Sequence, residues 1–284
     1  MKCCIICFFL FSATILYSQN GADVTNRELK KFFIGVNAGG YFGNKKTANF
    51  YNGGTVNGIS RILNTTYYRD QIDQELSYDW SFGEFPEQMK YSVALQLGLH
   101  LGFHVSDNFA LIGDVDIINL KTQDYVTFLI DDPNNGSPEP TIETMPILGE
   151  EKRLNFNVGF QNYLSKENNT FVYWSMALNA TSTKFVDNTL KIRNLSTYYI
   201  GDPLWIGSIN PNNGTVISEN GRTKPGGTGF GGLIGMGVKF KFNEKFVFDL
   251  GYNLIYTTIK LSDYDSVFKQ RGVQHSLFLR VIWG

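Results

Sequence analysis

Three histidines, 26 carboxylates and 25 lysines and arginines carry the titratable chemistry of this 284-residue chain. Few of them fall into a catalytic pattern. His100 and His104 are four residues apart, an even spacing that sets both on one face of a strand, as metal ligands would be. A zinc site needs a third protein ligand, and none stands nearby in sequence, so polar filling of an interior is the simpler reading. His275-Ser276 is the only His–Ser neighbour pair. Adjacent strand positions face opposite ways, so the two cannot form the base and nucleophile of a triad. Cys3, Cys4 and Cys7 all lie at the extreme N-terminus, which leaves the rest of the chain without thiol chemistry. Asp131-Asp132-Pro133-Asn134-Asn135-Gly136 offers oxygen ligands of the kind calcium takes, but without EF-hand spacing, and reads as a turn. No catalytic, metal or cofactor site is expected, and the chain is expected not to be an enzyme.

The elements that would hold these residues are strands. Period-two alternation recurs over ten to sixteen residues, most clearly at 91–105. There Tyr91, Val93, Leu95, Leu97, Leu99, Leu101, Phe103 and Val105 share one face, and Ser92, Ala94, Gln96, Gly98, His100, Gly102 and His104 the other. Similar alternation runs through 154–164, 171–183, 230–242 and 246–260, and more weakly through 32–42, 109–122 and 272–283. A strand of a soluble sandwich usually stops near six residues. Fifteen suits a tilted strand that crosses a bilayer, where roughly 9–11 residues span the hydrocarbon.

Composition points the same way. Aromatic residues make up 15% and charged residues only 18%, below the usual quarter of a soluble domain. Mean hydropathy is −0.15, which excludes a bundle of transmembrane helices. The net charge of −1 gives no basic field for nucleic acid. Residues 1–19 read as a signal peptide, with Lys2 ahead of an apolar run from Cys3 to Leu16 that is too short to span a membrane. Residues 20–31 would be a periplasmic N-terminal segment and 32–284 the barrel.

Eight strands in lipid must close, because every backbone donor and acceptor needs a partner and no edge can remain. The expected fold is therefore all-β: a transmembrane antiparallel up-and-down β-barrel of eight strands. Ten is the alternative if 43–90 supplies a hairpin. Short turns at Ser106–Asn108, Ser165–Thr170 and Asn243–Lys245 alternate with long connections at 43–90, 123–152, 187–228 and 262–271. Short turns toward the periplasm and long extracellular loops would leave both termini periplasmic.

With the signal peptide, the first strand Phe33-Ile34-Gly35-Val36, the strand–turn–strand run Tyr91–Lys121 and the terminal strand Leu277–Trp283, the chain resembles small outer-membrane β-barrel proteins of Gram-negative bacteria. Its Gly-, Asn- and aromatic-rich style is similar to Bacteroidota-type families related to PorT or to the OmpA transmembrane domain. The resemblance implies a bacterial outer-membrane location, with lipid and lipopolysaccharide as surroundings. OmpA-like proteins often continue into a peptidoglycan-binding domain, whereas this chain stops at its last strand. Asp265-Ser266-Val267 resembles a short O-glycosylation sequon of Bacteroidota, with Ser266 as acceptor.

Eight strands leave a lumen that side chains fill. The inward phase holds His100, His104, Asp114, Asp116, Lys239, Lys241, Asp249 and Arg280, and Lys241 would pair with Asp249 across the 243–245 turn. Buried charges of this kind must be paired. In 43–90, Val56, Ile59, Ile62, Leu63, Ile72 and Leu76 suggest a helix capping the mouth. Tyr67, Tyr68, Tyr78, Trp80, Phe82 and Phe85 either form a contact surface or pack on one another. The expected function is a non-enzymatic barrel that works through its outer loops as an accessory subunit of a larger outer-membrane secretion, assembly or uptake complex, its partner another outer-membrane protein. A stand-alone structural or adhesion barrel, or a small-solute channel, are the alternatives.

Overall fold

The computed structural model describes residues 32–53, 59, 63, 66–167, 169–193, 197–199, 226–243, 245–262 and 267–283. The signal-peptide and 20–31 assignments, and Ser266, lie outside these residues.

Ten strands occur among the described residues: β1 (Phe32–Phe42), β2 (Trp80–Phe82), β3 (Ala94–Ser106), β4 (Phe109–Ile130), β5 (Thr141–Glu167), β6 (Thr170–Lys191), β7 (Thr197–Tyr199), β8 (Gly226–Lys241), β9 (Phe246–Ser262) and β10 (Val267–Trp283). Eight of them form a closed antiparallel ring in the order β1-β3-β4-β5-β6-β8-β9-β10. The last seam pairs β10 with β1, from Ile34 opposite Trp283 to Phe42 opposite His275. β2 and β7 stay outside the ring, on the free ends of β4 and β6. Among its described residues, segment 43–90 adds β2 beside β4 and no hairpin to the ring.

The exterior inverts the rule for a water-soluble core. Leu178 is 78% exposed and Phe230 71%, and the outward faces of β3 and β9 are unbroken apolar rows from Leu95 to Val105 and from Phe246 to Tyr256. Such a continuous apolar girdle around a closed ring is stable only in lipid, so the chain is a transmembrane β-barrel. Among the described residues no helix is long and apolar enough to cross a membrane. Inward positions carry small or polar side chains interspersed with two apolar clusters, one around Tyr41, Ile118 and Ile255 and one around Phe33, Ile112 and Ile282. Glycine occurs where a neighbour fills the lumen: a Cβ on Gly102 would run into the Phe33 ring, and one on Gly149 into the Tyr51 ring.

Three strands are far longer than a membrane requires. β4 has 22 residues, β5 27 and β6 22. The 123–152 connection is therefore a correction: most of it is paired strand, from Gln123 opposite Leu148 to Ile130 opposite Thr141, and only 131–140 turns. The alternation of β4 continues inward through Val126, Phe128 and Ile130, and that of β5 through Met145 and Ile147. The acids between them had the look of a solvated loop. A bulge in β6 opposite Glu150/Glu151 shifts its phase, so that Leu190 and Ile192 turn inward beside Phe185.

On this protruding sheet sits a folded cap. It contains α1 (Lys45–Ala48), a 3-10 turn at Asn49–Tyr51, α2 (Thr66–Leu76) and β2. The Asn44 side chain caps α1 by accepting from the Lys46 amide at 2.7 Å. Ala48, Phe50, Tyr51, Ile59, Leu63, Ile72, Leu76, Trp80 and Met89 from the cap pack on Val126, Phe128, Ile130, Met145, Ile147, Phe185 and Leu190 from the strands. This is a second, water-type core beyond the lipid belt.

Candidate functional site

The lumen is filled in layers. In the central layer β3, β4, β9 and β10 bring His100, Asp114, Asp249 and Arg280 together. Arg280 donates to Asp114 Oδ1 at 3.0 Å and to Asp249 Oδ2 at 3.1 Å. His100 Nδ1 lies 2.6 Å from Asp114 Oδ1, and Arg280 Nη1 lies 3.3 Å from His100 Nε2. The guanidinium's demand for an acceptor assigns the Nδ1–H tautomer, with Nε2 accepting. The Tyr173 hydroxyl completes Asp249, donating at 2.8 Å. Asp116 accepts from Asn37 at 2.7 Å and from Asn157 at 3.4 Å.

Lys239 donates to Gln161 and to the Tyr163 hydroxyl, both at 3.1 Å, and the same hydroxyl lies 3.1 Å from His104 Nε2. Lys241 departs from the expected pairing. The β8–β9 register sets Lys239 opposite Asp249 and Lys241 opposite Val247. Asp249 is taken by Arg280 and Tyr173, while Lys241 stands half exposed at the end of its strand.

A second layer lies toward the capped mouth, and the sequence reading missed it. Glu151 and Arg153, both fully buried on β5, bond through Arg153 Nε at 2.6 Å. Arg153 also donates to Gln274 at 2.7 Å and to Thr47 at 3.1 Å, with its guanidinium over the Tyr91 ring at 5.4 Å. Tyr51 donates to Glu151 at 2.8 Å. Thr47 and Tyr51 belong to the cap, so this layer ties cap to barrel. Burial pushes the Tyr51 phenol well above its ordinary range, and the Glu151 carboxylate pushes it the same way. The signal was present: Glu151 and Arg153 are two residues apart, in phase with Asn155 and Asn157 on a strand already recognised.

The side chains of both layers are buried and hydrogen-bonded to one another across the lumen. His275 is on the outer wall, hydrogen-bonded to Tyr252, while Ser276 points inward to Gln96 at 2.5 Å. Among the described residues no three His, Cys, Asp or Glu side chains converge as metal ligands would. In the 131–137 turn, Asp132 and Asn135 side chains accept from Asn134 and Ser137 amides at 2.8 and 2.7 Å, which is turn chemistry.

The loop aromatics divide. Trp80 is buried, its ring 5.2 Å from Phe128 and its Nε1 donating to Asp73 at 2.6 Å. Phe82 and Phe85 stack against each other and on the cap core, and Tyr78 packs at its margin. These four are packing rather than an open contact surface, because the protruding β4–β5 hairpin gave them an apolar wall to cover. Tyr67 and Tyr68 lie on α2, and their side chains fall outside the described residues.

What remains exposed is the outer face of that hairpin. Tyr125 is 52% exposed, Leu148 39% and Ile142 67%, with half-buried Leu129 opposite Ile142 and the Thr127–Thr144 pair between Tyr125 and Ile142. This apolar strip stands beyond Lys121 and Glu150, which bond at 3.5 Å and mark the end of the lipid belt.

No protein-family model and no curated protein matches the chain. It is similar in architecture to solved barrels. Neisserial surface protein A aligns with a TM-score of 0.40 at 8% identity, covering 89% of this chain and 96% of that one. The outer membrane protein OprG from Pseudomonas aeruginosa gives 0.40 at 10%, with 89% and 96% covered. Outer Membrane Protein W of E. coli gives 0.32 at 14%, with 91% and 99% covered. The fold stands on the strand pairings themselves.

Proposed function

We propose that the chain is a non-enzymatic bacterial outer-membrane barrel that acts as an accessory subunit, docking sideways onto another outer-membrane protein through its protruding hairpin. The observation that carries this reading is the apolar strip of Tyr125, Ile142, Leu148 and Leu129. It faces outward beyond the lipid belt, in line with the barrel wall below it. A partner embedded in the same membrane meets such a strip edge-on, whereas a soluble ligand would approach the top of the cap. Exposed aromatic and aliphatic side chains rimmed by polar groups are the usual anchors of protein interfaces. The ion-paired, side-chain-filled lumen supports a structural rather than a conducting or catalytic interior. The kinship with Bacteroidota-type PorT-like or OmpA-like barrels, and an orientation with both termini periplasmic, belong to the same proposal.

The test is a pull-down of the full chain from native membranes in mild detergent, read by native mass spectrometry. A stoichiometric outer-membrane partner is expected, lost in the double variant Tyr125→Asp/Ile142→Asp while the folded barrel is retained. Recovery of a lone monomer under several gentle detergents would remove the subunit reading in favour of a stand-alone adhesion or structural barrel.

A further inference from the structure

At the outer end of the lipid belt the wall of the barrel carries more cations than acids, with Glu150 and Asp187 among the outward side chains. Reading along each strand toward the cap, Lys121 follows Ile117, Lys152 follows Leu154, Lys184 follows Leu178 and Ala180, Lys260 follows Tyr256, and Arg271 follows Val273. Each of these cations comes two to six residues after a large outward apolar side chain of its strand, and on β4 and β5 further outward apolar side chains follow nearer the cap, at Tyr125, Leu148 and Ile142. Two of them are direct neighbours: the β5–β6 register sets Lys152 opposite Lys184. Both face outward and both are exposed.

Like charges directly opposite in an antiparallel pair destabilise the ladder. Elsewhere this rim relieves its charge, since Lys121 pairs with Glu150. Among the described residues neither Lys152 nor Lys184 has a carboxylate partner of its own. The residues flanking the pair along the ladder, Asn119 on β4 and Gly226 on β8, add no negative charge. Below the pair, Leu154 stands opposite Ser182, and the lipid-facing wall continues with exposed Phe156 on β5 and, further down, Leu178 on β6. Immediately above, Glu150 is engaged by Lys121, and Asp187 stands opposite it.

We propose that Lys152 and Lys184 form a clamp for one phosphate group of an outer-leaflet lipid headgroup. The lipid's acyl chains lie on the Phe156/Leu178 wall, and its phosphate sits between the two ammonium groups at the height where hydrocarbon gives way to water. A phosphate carries roughly −1.5 to −2 charges at neutral pH, which matches the two facing lysines, and lysine binds it as a point charge. The clamp rests on the reading that the capped end faces the outer leaflet.

The experiment uses the full chain in detergent, with binding of bis-phosphorylated lipid A followed by native mass spectrometry. Monophosphorylated and phosphate-free lipid A, and inorganic phosphate, run in parallel. The expected result is about one tightly retained bis-phosphorylated lipid per barrel. Retention should fall about tenfold in Lys152→Gln/Lys184→Gln, be kept in Lys152→Arg/Lys184→Arg, and vanish for the phosphate-free lipid. Heat-dependent gel mobility checks that the Gln variant is folded; if it is not, the single variants Lys152→Gln and Lys184→Gln carry the same test. Equal retention by wild type and folded Gln variant overturns the clamp. Competition by millimolar inorganic phosphate at equal occupancy replaces the lipid with a free anion and overturns it too. Separately, surface labelling of a Ser137→Cys variant in intact cells tests the orientation. If the tip is not labelled, the outer-leaflet reading itself fails; if it is labelled and lipid is not retained, only the clamp fails.

Discussion

Arg280 is the side chain on which the centre of the barrel depends. It meets two carboxylates, Asp114 and Asp249, and all three side chains are buried. Replacing it with methionine removes the cation that bridges both acids and leaves Asp114 with His100 and Asp249 with the Tyr173 hydroxyl, a change that breaks a buried pair and typically costs about 3–5 kcal/mol. The expected outcome is a lowered urea midpoint for unfolding in detergent micelles. Most of it should be recovered when Asp114→Asn and Asp249→Asn are added. A loss below about 1 kcal/mol in the single variant would mean that the guanidinium does not link the two acids. The inward phase of His100, Asp114, Asp249 and Arg280 could be read from alternation alone, because period two sorts faces without tertiary knowledge. Their partners could not. Register depends on where each turn begins, and a two-residue error in the β8–β9 turn exchanged Lys239 for Lys241 opposite Asp249.

At the level of elements, the ring strands were legible wherever one face is lipid and the other polar, since the contrast then survives in the sequence. It faded where β4 and β5 leave the membrane. There the outer face turns toward water and the inner face toward the cap, so acids such as Glu143 and Glu150 interrupt the pattern and suggest a loop. The cap core was half visible in Ile59, Leu63, Ile72 and Leu76, but nothing local showed which wall they would cover. Phe128 sits at the centre of that wall, its ring 5.2 Å from Trp80 and 5.1 Å from Phe82. Phe128→Ala should cost about 3–5 kcal/mol, lost from the cap alone. Limited proteolysis would then cut within 66–90 and amide exchange would quicken over α2, while the heat-dependent gel shift of the barrel persists. Unfolding of the ring itself in this variant would show that cap and barrel are one cooperative unit.

For the molecule as a whole, two buried polar layers cross the lumen, one around Arg280 and one around Arg153. The wild-type protein is expected to give no ohmic steps in planar lipid bilayers. Steady single-channel steps that change with Asp114→Asn or Lys239→Gln would show that the layers part, and would favour the channel alternative.

The ring also sets an order of events in time. β4 and β5 share twenty-two residue pairs and are neighbours in the chain, whereas β1 and β10, its first and last ring strands, share nine. Hairpins of neighbouring strands form early, and contacts between chain ends come last because loop closure costs entropy before it returns anything. Until that final seam zips, two bare strand edges stand open in the membrane, each able to accept the edge of another copy. Crowded nascent chains should therefore exchange terminal strands. A cell that inserts this protein has to keep one chain's ends together and its neighbours apart for as long as the seam stays open.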